Sequence, residues 1–550
     1  MPARIQERLY EARVLVEREK FDEAEKLYRK LLSYSGSEDV VYRELFQFYV
    51  RQNRPKQAMS CLEEMARFFE DVPEWWHQLA QYAQSLGDLE KAIFGYQMFL
   101  GRVPDRPNSV YNLAYLLKQV GKLHEALTWY KKSLAMGISG EEEVYTNMGV
   151  ILSELRREPE ARDCYHKALE IRDDYLPAIL NLAALFEEAG DQKAAATLYG
   201  KALVVDAKCV LAMCRLAYLT TADHSGEPLI HSISTMLKNS WLTKSESEEL
   251  NFSLGKLLDD CGEYEGAFSR YSEANRLGQS RFSPYQKNVQ SQYIDNLISS
   301  FSGDVLSVVG DSPDRAPIFI CGMFRSGSTL VEQVLSGHSD ITSGGELEFF
   351  PRLVAGLGDR YPGKLESLGV GFYQKVGRDY LDFLSDRFAV GSIVTDKRPD
   401  NFLHVGLIKR ALPNARFIWT RRGLLDNCLS VYFQQLGGGM NYSVDLDAIG
   451  HFYVEQERLM HYWQSLFPGS ILEVGYESLV MSPEKEVRRI LDFLGVAWEE
   501  GCLEFQRRNN YVKTASVWQV RNALHTGSIG RFKNYQPYIS VLNKYLQGNQ

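Results

Sequence analysis

The 550-residue sequence predicts a multidomain protein in which an all-α solenoid is followed by an α/β domain with a mostly parallel sheet. Two observations predict this order. Alanine recurs about every 34 residues in the first half, and short β-branched or aromatic runs alternate with helical stretches in the second half. The predicted boundaries are 1–295 for the solenoid, 296–316 for a linker and 317–550 for the α/β domain.

The repeat is defined by alanines that are each followed, four positions later, by a large residue. This spacing puts both side chains on one face of a helix, and a leucine or methionine thirteen residues before the later alanines marks a partner helix. The pattern resembles the tetratricopeptide repeat, which implies paired antiparallel helices stacked into a superhelix with a peptide-binding groove. Its register weakens after residue 206, and Ala267 with Tyr271 predicts one further unit. The alanines in register are Ala24, Ala58, Ala92, Ala126, Ala161 and Ala195.

Composition narrows the possible classes of function. A formal net charge of -9 gives no general attraction for nucleic acid. We find neither a signal peptide nor an apolar run long enough for a membrane span, and the eight cysteines include no Cys-x-x-Cys pair. The sequence therefore predicts a cytoplasmic protein without a metal, a nucleic-acid partner or a membrane partner, and it leaves the oligomeric state open.

The second half begins after a segment rich in Gly, Ser, Asp and Pro, which is typical of a linker. Beyond it, strands are predicted at 318–321, 392–395, 416–420 and 470–474, and a helix at 483–494. Ligands of such sheets bind at the carboxyl ends of the strands. We therefore expect the functional residues to follow these strands.

The loop after the first predicted strand has the spacing of a phosphate-binding loop, with Gly322, Gly327 and Thr329 in the pattern Gly-x-x-x-x-Gly-x-Thr. Ser328 occupies the position at which triphosphate hydrolases carry a lysine. Arg325 instead supplies a planar guanidinium, which suits an anion that is not a metal-chelated triphosphate. The loop is therefore predicted to bind a phosphate or a related group.

Two further cationic segments predict a second phosphate site. Arg422 follows the strand at 416–420, and Ser430 lies eight residues later on the next helix. A glycine-rich loop near the C-terminus adds Arg531 and Lys533. Separate phosphate sites without an acidic magnesium cage suggest a nucleotide with phosphates at both its 5′ and 3′ ends.

These segments resemble, in the same order, the sulfotransferase domain of bacterial tetratricopeptide-repeat sulfotransferases, which is similar to tyrosylprotein sulfotransferases. The resemblance spans about residues 317–535. It implies the donor 3′-phosphoadenosine 5′-phosphosulfate (PAPS), the product adenosine 3′,5′-bisphosphate and sulfuryl transfer to a hydroxyl. The segments that carry it include PIFICGMFRSGSTL, GGELEFF, TDKRPDNFL, LLDNCLSVYFQ and GSIGRFKNY.

The resemblance also implies roles for individual residues. Glu346 matches the catalytic base, Lys397 matches its supporting lysine, and Arg325 and Ser516 complete the predicted catalytic set. The histidine base of small-molecule sulfotransferases has no counterpart, since Pro399 stands at its position. The residues predicted to bind the donor are Arg325, Ser326, Gly327, Ser328, Thr329, Arg422, Ser430 and Arg531.

Three functions stay open at this point. The first is a PAPS-dependent sulfotransferase whose repeats recruit the acceptor. The second is a P-loop kinase or other nucleotide triphosphatase with Asp396 as a magnesium ligand, although Ser328 in the lysine position argues against it. The third is a repeat scaffold with an inactive transferase domain. For the sulfotransferase, the acceptor is expected to be a protein or peptide tyrosine, a glycan hydroxyl or a small molecule.

Overall fold

The computed structural model describes residues 3–33, 38–301, 316–388, 391–437, 439–505 and 526–546. Packing divides the chain into two compact units, Met1–Leu185 and Phe186–Gln550. Over the described residues, none of the helices combines the length and the apolar character that a membrane crossing requires.

The first unit consists of successive helix pairs. In each pair the small alanine and the large residue four positions later are buried, as Ala24 and Tyr28 are in the first pair. Side-chain caps help to start some helices, for example where Asp88 accepts the backbone N–H of Lys91 at 3.1 Å. The helices are α1 (Ala3–Glu17), α2 (Phe21–Leu31), α3 (Glu38–Arg51), α4 (Pro55–Phe68), α5 (Glu74–Ser85), α6 (Leu89–Arg102), α7 (Pro107–Gln119), α8 (Leu123–Ala135), α9 (Glu141–Glu154), α10 (Glu158–Ile171) and the first part of α11 (Leu176–Ala189), whose last residues belong to the second unit.

The helical region continues into the second unit. The predicted further repeat is present as the antiparallel pair α15 and α16, in which Ala267 and Tyr271 are buried. Residues 296–300 were predicted to be linker but belong to a helix, because Ile294, Leu297 and Phe301 bury an apolar face there. The helices are α12 (Gln192–Val205), α13 (Val210–Leu219), α14 (Pro228–Met236), α15 (Lys244–Asp260), α16 (Tyr264–Gly278) and α17 (Lys287–Ser300).

A five-stranded parallel sheet follows, in the order β2-β3-β1-β4-β5. Four of its strands were predicted, and β2 is an addition of only three residues. The strands are β1 (Ile318–Gly322), β2 (Ile341–Ser343), β3 (Ile393–Lys397), β4 (Arg416–Arg421) and β5 (Ile471–Gly475). The predicted order of an all-α region and an α/β domain with a parallel sheet is confirmed.

Helices cover both faces of the sheet, and the helix predicted at 483–494 is present. They are α18 (Ser328–Ser336), α19 (Phe349–Leu357), α20 (Gly369–Ser385), α21 (Val405–Ala411), α22 (Leu424–Tyr432), α23 (Leu446–Leu466), α24 (Tyr476–Met481) and α25 (Pro483–Leu494). A 3-10 helix at Arg531–Tyr538 packs beside α16 and α22.

One hydrophobic cluster joins the last helices of the solenoid to the sheet. Tyr271 and Phe301 belong to the same buried cluster as Phe319 of β1 and Trp419 of β4. The shared cluster means that α15, α16 and α17 are part of the packing that supports the α/β domain.

Candidate active site

The predicted phosphate loop connects β1 to α18 at the carboxyl edge of the sheet. A side chain at Gly322 would place Cβ 2.2 Å from the Thr420 carbonyl oxygen, so only glycine fits where the loop leaves β1. Gly327 has φ +102° directly before α18, and Arg325 adopts φ 68°. A left-handed conformation costs a non-glycine residue about 1–2 kcal/mol, and strained backbone of this kind is concentrated at functional sites.

Side chains at the base of the loop fix its shape. Ser326 Oγ donates to the Met323 carbonyl oxygen at 2.6 Å and lies 2.7 Å from Thr420 Oγ1 on β4. The Ser326 hydroxyl is therefore engaged inside the loop. Ser328 and Thr329 are buried in the first turn of α18, where the N–H groups of a helix have no partner within the helix and attract anions.

The two predicted phosphate sites lie together. Arg325 Nε donates to Ser430 Oγ at 3.2 Å, and Arg422 Nη1 donates to the Arg325 carbonyl oxygen at 3.4 Å. Asn427 Nδ2 donates to the carbonyl oxygen of Phe324, at 3.1 Å, and so ties α22 to the loop. The structure therefore brings Arg325, Arg422 and Ser430 into one cluster at the ends of β1 and β4.

The Arg422 side chain is buried, and its contacts are with backbone carbonyl oxygens and with the ring of Tyr476. Its Nη2 donates to the Ser528 carbonyl oxygen at 2.6 Å, and its guanidinium lies 4.8 Å from the ring centre of Tyr476. Tyr453 Oη donates to the Arg422 carbonyl oxygen at 2.7 Å. Within the described residues, Arg422 Nε is buried without a hydrogen-bond partner. A buried donor of this kind favours binding of an anion.

The cluster is electrostatically strained. Burial lowers the pKa of Arg325 to about 10, and the positive charge of Arg422 contributes to that fall. The Tyr476 and Tyr218 phenols act on the same pKa in the opposite direction. Anions bound to the two guanidinium groups would offset both the burial and the mutual repulsion.

The predicted base and its lysine form an ion pair at the neighbouring strand ends. Lys397 Nζ lies 2.6 Å from Glu346 Oε1, with the lysine side chain 1% exposed and the glutamate side chain 44% exposed. Lys397 is paired in register with Ile320 of β1, and its backbone N–H donates to the Gly345 carbonyl oxygen at 2.9 Å. The pair therefore lies one strand away from the phosphate loop.

A buried glutamate that sequence reasoning missed holds this turn in place. Glu332 on α18 accepts the backbone N–H of Gly345 and the hydroxyl of Thr395, both at 2.9 Å on the same carboxylate oxygen. One carboxylate thus connects the helix of the phosphate loop to the turn before Glu346 and to β3. The only signal in the sequence was that Glu332 is the one charged residue of this helix.

Residues 317–500 match the sulfotransferase family, and residues 15–82, 109–138 and 143–172 match tetratricopeptide repeats. The chain joins tetratricopeptide repeats to a sulfotransferase domain.

Several relatives are known. An uncharacterized protein of Aquifex aeolicus (strain VF5) is 26% identical over 97% of this chain and 73% of its own length. Protein-tyrosine sulfotransferase 1 of Danio rerio is 28% identical over 35% of this chain and 57% of its own length. Protein-tyrosine sulfotransferase 2 of Gallus gallus is 23% identical over 36% of this chain and 55% of its own length. The similarity to the protein-tyrosine sulfotransferases is distant.

Asp396, the magnesium ligand of the kinase alternative, has both carboxylate oxygens occupied by protein groups. It is buried, and its carboxylate accepts the Tyr380 hydroxyl and the Asn401 amide, each at 3.0 Å. Burial raises its pKa to about 7. Strand alternation explains the placement, since Lys397 and Asp396 are adjacent and face opposite sides of β3.

Two more predicted residues, the catalytic Ser516 and the donor-binding Arg531, have different outcomes. Ser516 lies outside the described residues. Arg531 forms an ion pair with Asp259 of α15, a contact that no local pattern in the sequence indicates. Its neighbours are nevertheless close to the cluster, since Asp426 on α22 accepts the N–H groups of Gly530 at 2.6 Å and Phe532 at 2.9 Å.

Proposed function

We propose that this protein transfers the sulfuryl group of PAPS to an acceptor hydroxyl, with a protein tyrosine as the favoured acceptor. The observation that carries the proposal is the Lys397–Glu346 pair, which offers a partly exposed carboxylate one strand away from the phosphate loop and its neighbouring Arg422. The sulfotransferase family match and the distant protein-tyrosine sulfotransferases support the same reaction class.

The residues of the loop fit a donor that carries two separate phosphate groups. The first turn of α18 and Arg325 would hold the 5′ side, and Arg422 with Ser430 would hold the 3′-phosphate. The buried Arg422 Nε is suited to an oxyanion, because burial without a partner is costly for a guanidinium N–H. Asp396 is occupied by Tyr380 and Asn401, which weakens the kinase alternative.

The chemistry assigned to the protein is proton removal and charge stabilisation. PAPS would supply the sulfuryl group. Glu346 would take the proton from the attacking hydroxyl, as a phenol of ordinary pKa about 10 requires near neutral pH. Lys397 and Arg325 would stabilise negative charge on the departing phosphate oxygen, a task that depends on fixed positive groups in a site shielded from water. Lys397 has three N–H donors, so it can hold Glu346 and face the loop at the same time.

The repeats are proposed to recruit the acceptor. Their helix pairs stack in the way that other tetratricopeptide repeats do, and such stacks bind extended peptides more readily than compact metabolites. This favours a protein or peptide acceptor over a glycan or a small molecule.

Transfer of radiolabel from PAPS into a cell lysate tests the function. The full-length protein should label the protein fraction, and alkaline hydrolysis of that fraction should release tyrosine sulfate. The Glu346→Gln variant serves as the negative control. Label only in glycans or metabolites would contradict the tyrosine assignment. An absence of label in every fraction would favour the inactive scaffold.

A further inference from the structure

The C-terminal segment 526–535 lies between the donor cluster and the last repeat pair. On one side it is fixed by the Arg422 guanidinium, which donates to the Ser528 carbonyl oxygen at 2.6 Å, and by Asp426, which accepts the N–H of Gly530 at 2.6 Å. These contacts place the backbone of the segment next to the proposed 3′-phosphate site.

On the other side the segment is fixed by a single carboxylate of α15. Asp259 forms an ion pair with Arg531 and accepts the hydroxyl of Tyr535. The Asp259 side chain is only 9% exposed, and the Tyr535 ring lies 5.4 Å from the ring of Tyr264 and 4.9 Å from that of Phe433. The carboxylate is therefore enclosed at the junction between α15, α16 and the segment.

Stabilisation of the packing between these elements does not by itself explain why a carboxylate stands at position 259. Aromatic stacking already joins α16 to the end of α22 and to the 3-10 helix, with the Tyr271 and Phe433 rings 4.0 Å apart and the Phe268 and Tyr538 rings 4.7 Å apart. The ion pair adds little net stability, because the cost of removing the Asp259 carboxylate from water offsets much of its attraction to the partly exposed Arg531. Its specific effect is to fix the direction of the Arg531 guanidinium.

We propose that Asp259 is a positioning residue for the donor nucleotide, acting through Arg531. Helix α15, which lies outside the sulfotransferase match at 317–500, thereby contributes to the donor site. The proposal rests on the proposed function, in which Arg422 serves the 3′-phosphate of PAPS, and on the predicted role of Arg531 in binding the donor. It makes the last repeat pair part of the transfer site as well as part of the solenoid.

Loss of the carboxylate should weaken nucleotide binding without changing the chemical step. Asp259→Asn keeps an oxygen for Tyr535 but removes the charge that orients Arg531. The Kd of adenosine 3′,5′-bisphosphate should rise by about tenfold, the usual cost of losing a charge-assisted hydrogen bond at a partly exposed site. The KM for PAPS should rise equally, while kcat stays within about twofold of the wild-type value.

Titration calorimetry on the full chain with adenosine 3′,5′-bisphosphate tests this, using wild type, Asp259→Asn, Arg531→Gln and the double variant. Because Asp259 acts through Arg531, Asp259→Asn should have no additional effect when Arg531 is already glutamine. Glu273→Gln is the matched control, since Glu273 on α16 pairs only with the neighbouring Arg276 among the described residues. It should bind like wild type.

An unchanged or lower Kd for Asp259→Asn, or a full additive effect in the double variant, would overturn the proposal. If the wild-type protein binds no bisphosphate, the proposed function fails as well as the proposal for Asp259. If the wild-type protein binds and only the variants behave unexpectedly, the proposal for Asp259 fails alone. If thermal unfolding shows that Asp259→Asn does not fold, Tyr535→Phe takes its place. Tyr535→Phe keeps the ring packing but loosens Asp259, and an unchanged Kd for that variant would equally overturn the proposal.

Discussion

Lys397 Nζ binds Glu346 Oε1 at 2.6 Å and so joins the end of β3 to the turn after β2. The lysine is buried and the glutamate is partly exposed, so the pair presents its carboxylate outward. A base needs this combination, because it must be held firmly by the protein and still be reachable by an acceptor hydroxyl.

Replacement of Glu346 by Gln should lower sulfuryl transfer by roughly 10² to 10⁴, the usual contribution of a positioned general base. Binding of adenosine 3′,5′-bisphosphate should be retained, because the donor cluster does not include Glu346. Glu348→Gln is the matched control, since Glu348 lies two residues away and pairs with Arg398 instead. Normal turnover of the Glu346→Gln enzyme would assign the base to another residue.

Replacement of Glu332 by Ala should damage both stability and transfer. It leaves the Gly345 N–H and the Thr395 hydroxyl without their acceptor, which should lower the free energy of unfolding by about 2–4 kcal/mol. Glu332→Gln keeps an acceptor oxygen and should recover most of that loss. Urea unfolding and transfer assays check this. An alanine variant as stable and active as wild type would show that this carboxylate does not hold the turn.

Replacement of Asp396 by Asn should change how stability depends on pH. Burial raises the pKa of Asp396 from 3.8 to about 7, so the folded protein binds a proton that the unfolded chain releases. The contribution of Asp396 to the free energy of unfolding therefore falls as pH rises from about 4 to about 7. Between pH 5 and pH 8 the Asn variant should gain about 2–3 kcal/mol relative to wild type.

Urea unfolding of both proteins at the two pH values measures that gain. Asp379→Asn is the control. Asp379 lies on α20, where its side chain is exposed and pairs with Lys375 of the same helix. It should show no such gain. An equal difference between Asp396→Asn and wild type at both pH values would mean that Asp396 is ionised in the folded protein throughout.

Local patterns in the sequence were sufficient to predict those helices and turns whose conformation is determined by neighbouring residues. The alanine spacing predicted the helix pairs, and the glycines at 322 and 327 predicted the loop, because helix faces and turns are determined over a few positions. β2 was missed because Ile341–Ser343 is only three residues long.

Contacts between distant parts of the chain were not predictable in this way. Asp259 and Tyr535 are 276 positions apart, and no local pattern relates them. The linker was predicted from composition alone, which cannot show that Phe301 is buried against the α/β domain. The bound partners of Glu332 were missed for the same reason, since Thr395 lies 63 positions away.

Removal of residues 1–185 should weaken capture of the acceptor and spare the donor site. Phe186–Gln550 forms a compact unit that keeps Asp259 and Phe301. This fragment should bind adenosine 3′,5′-bisphosphate like the full chain, and its KM for a natural protein acceptor should rise while kcat is retained. An unchanged KM would assign the first repeats to assembly or to another partner.

A fragment that begins near residue 311 is the informative comparison. It lacks Tyr271, Leu297 and Phe301, which are all buried in the cluster that contains Phe319. It should unfold at a lower temperature than the fragment of 186–550 or aggregate, because its apolar surface is uncovered. Equal melting temperatures for the two fragments would show that the sheet and its helices fold without the last repeat pair.

Titration calorimetry of the full-length protein in the presence of EDTA decides most directly whether the loop binds a bisphosphate nucleotide. Adenosine 3′,5′-bisphosphate should bind with saturable heat that is the same with and without EDTA, and it should bind more tightly than adenosine 5′-monophosphate, which lacks the phosphate assigned to Arg422 and Ser430. Binding of ATP that requires Mg²⁺, with no heat from the bisphosphate, would contradict the assignment of this domain to PAPS.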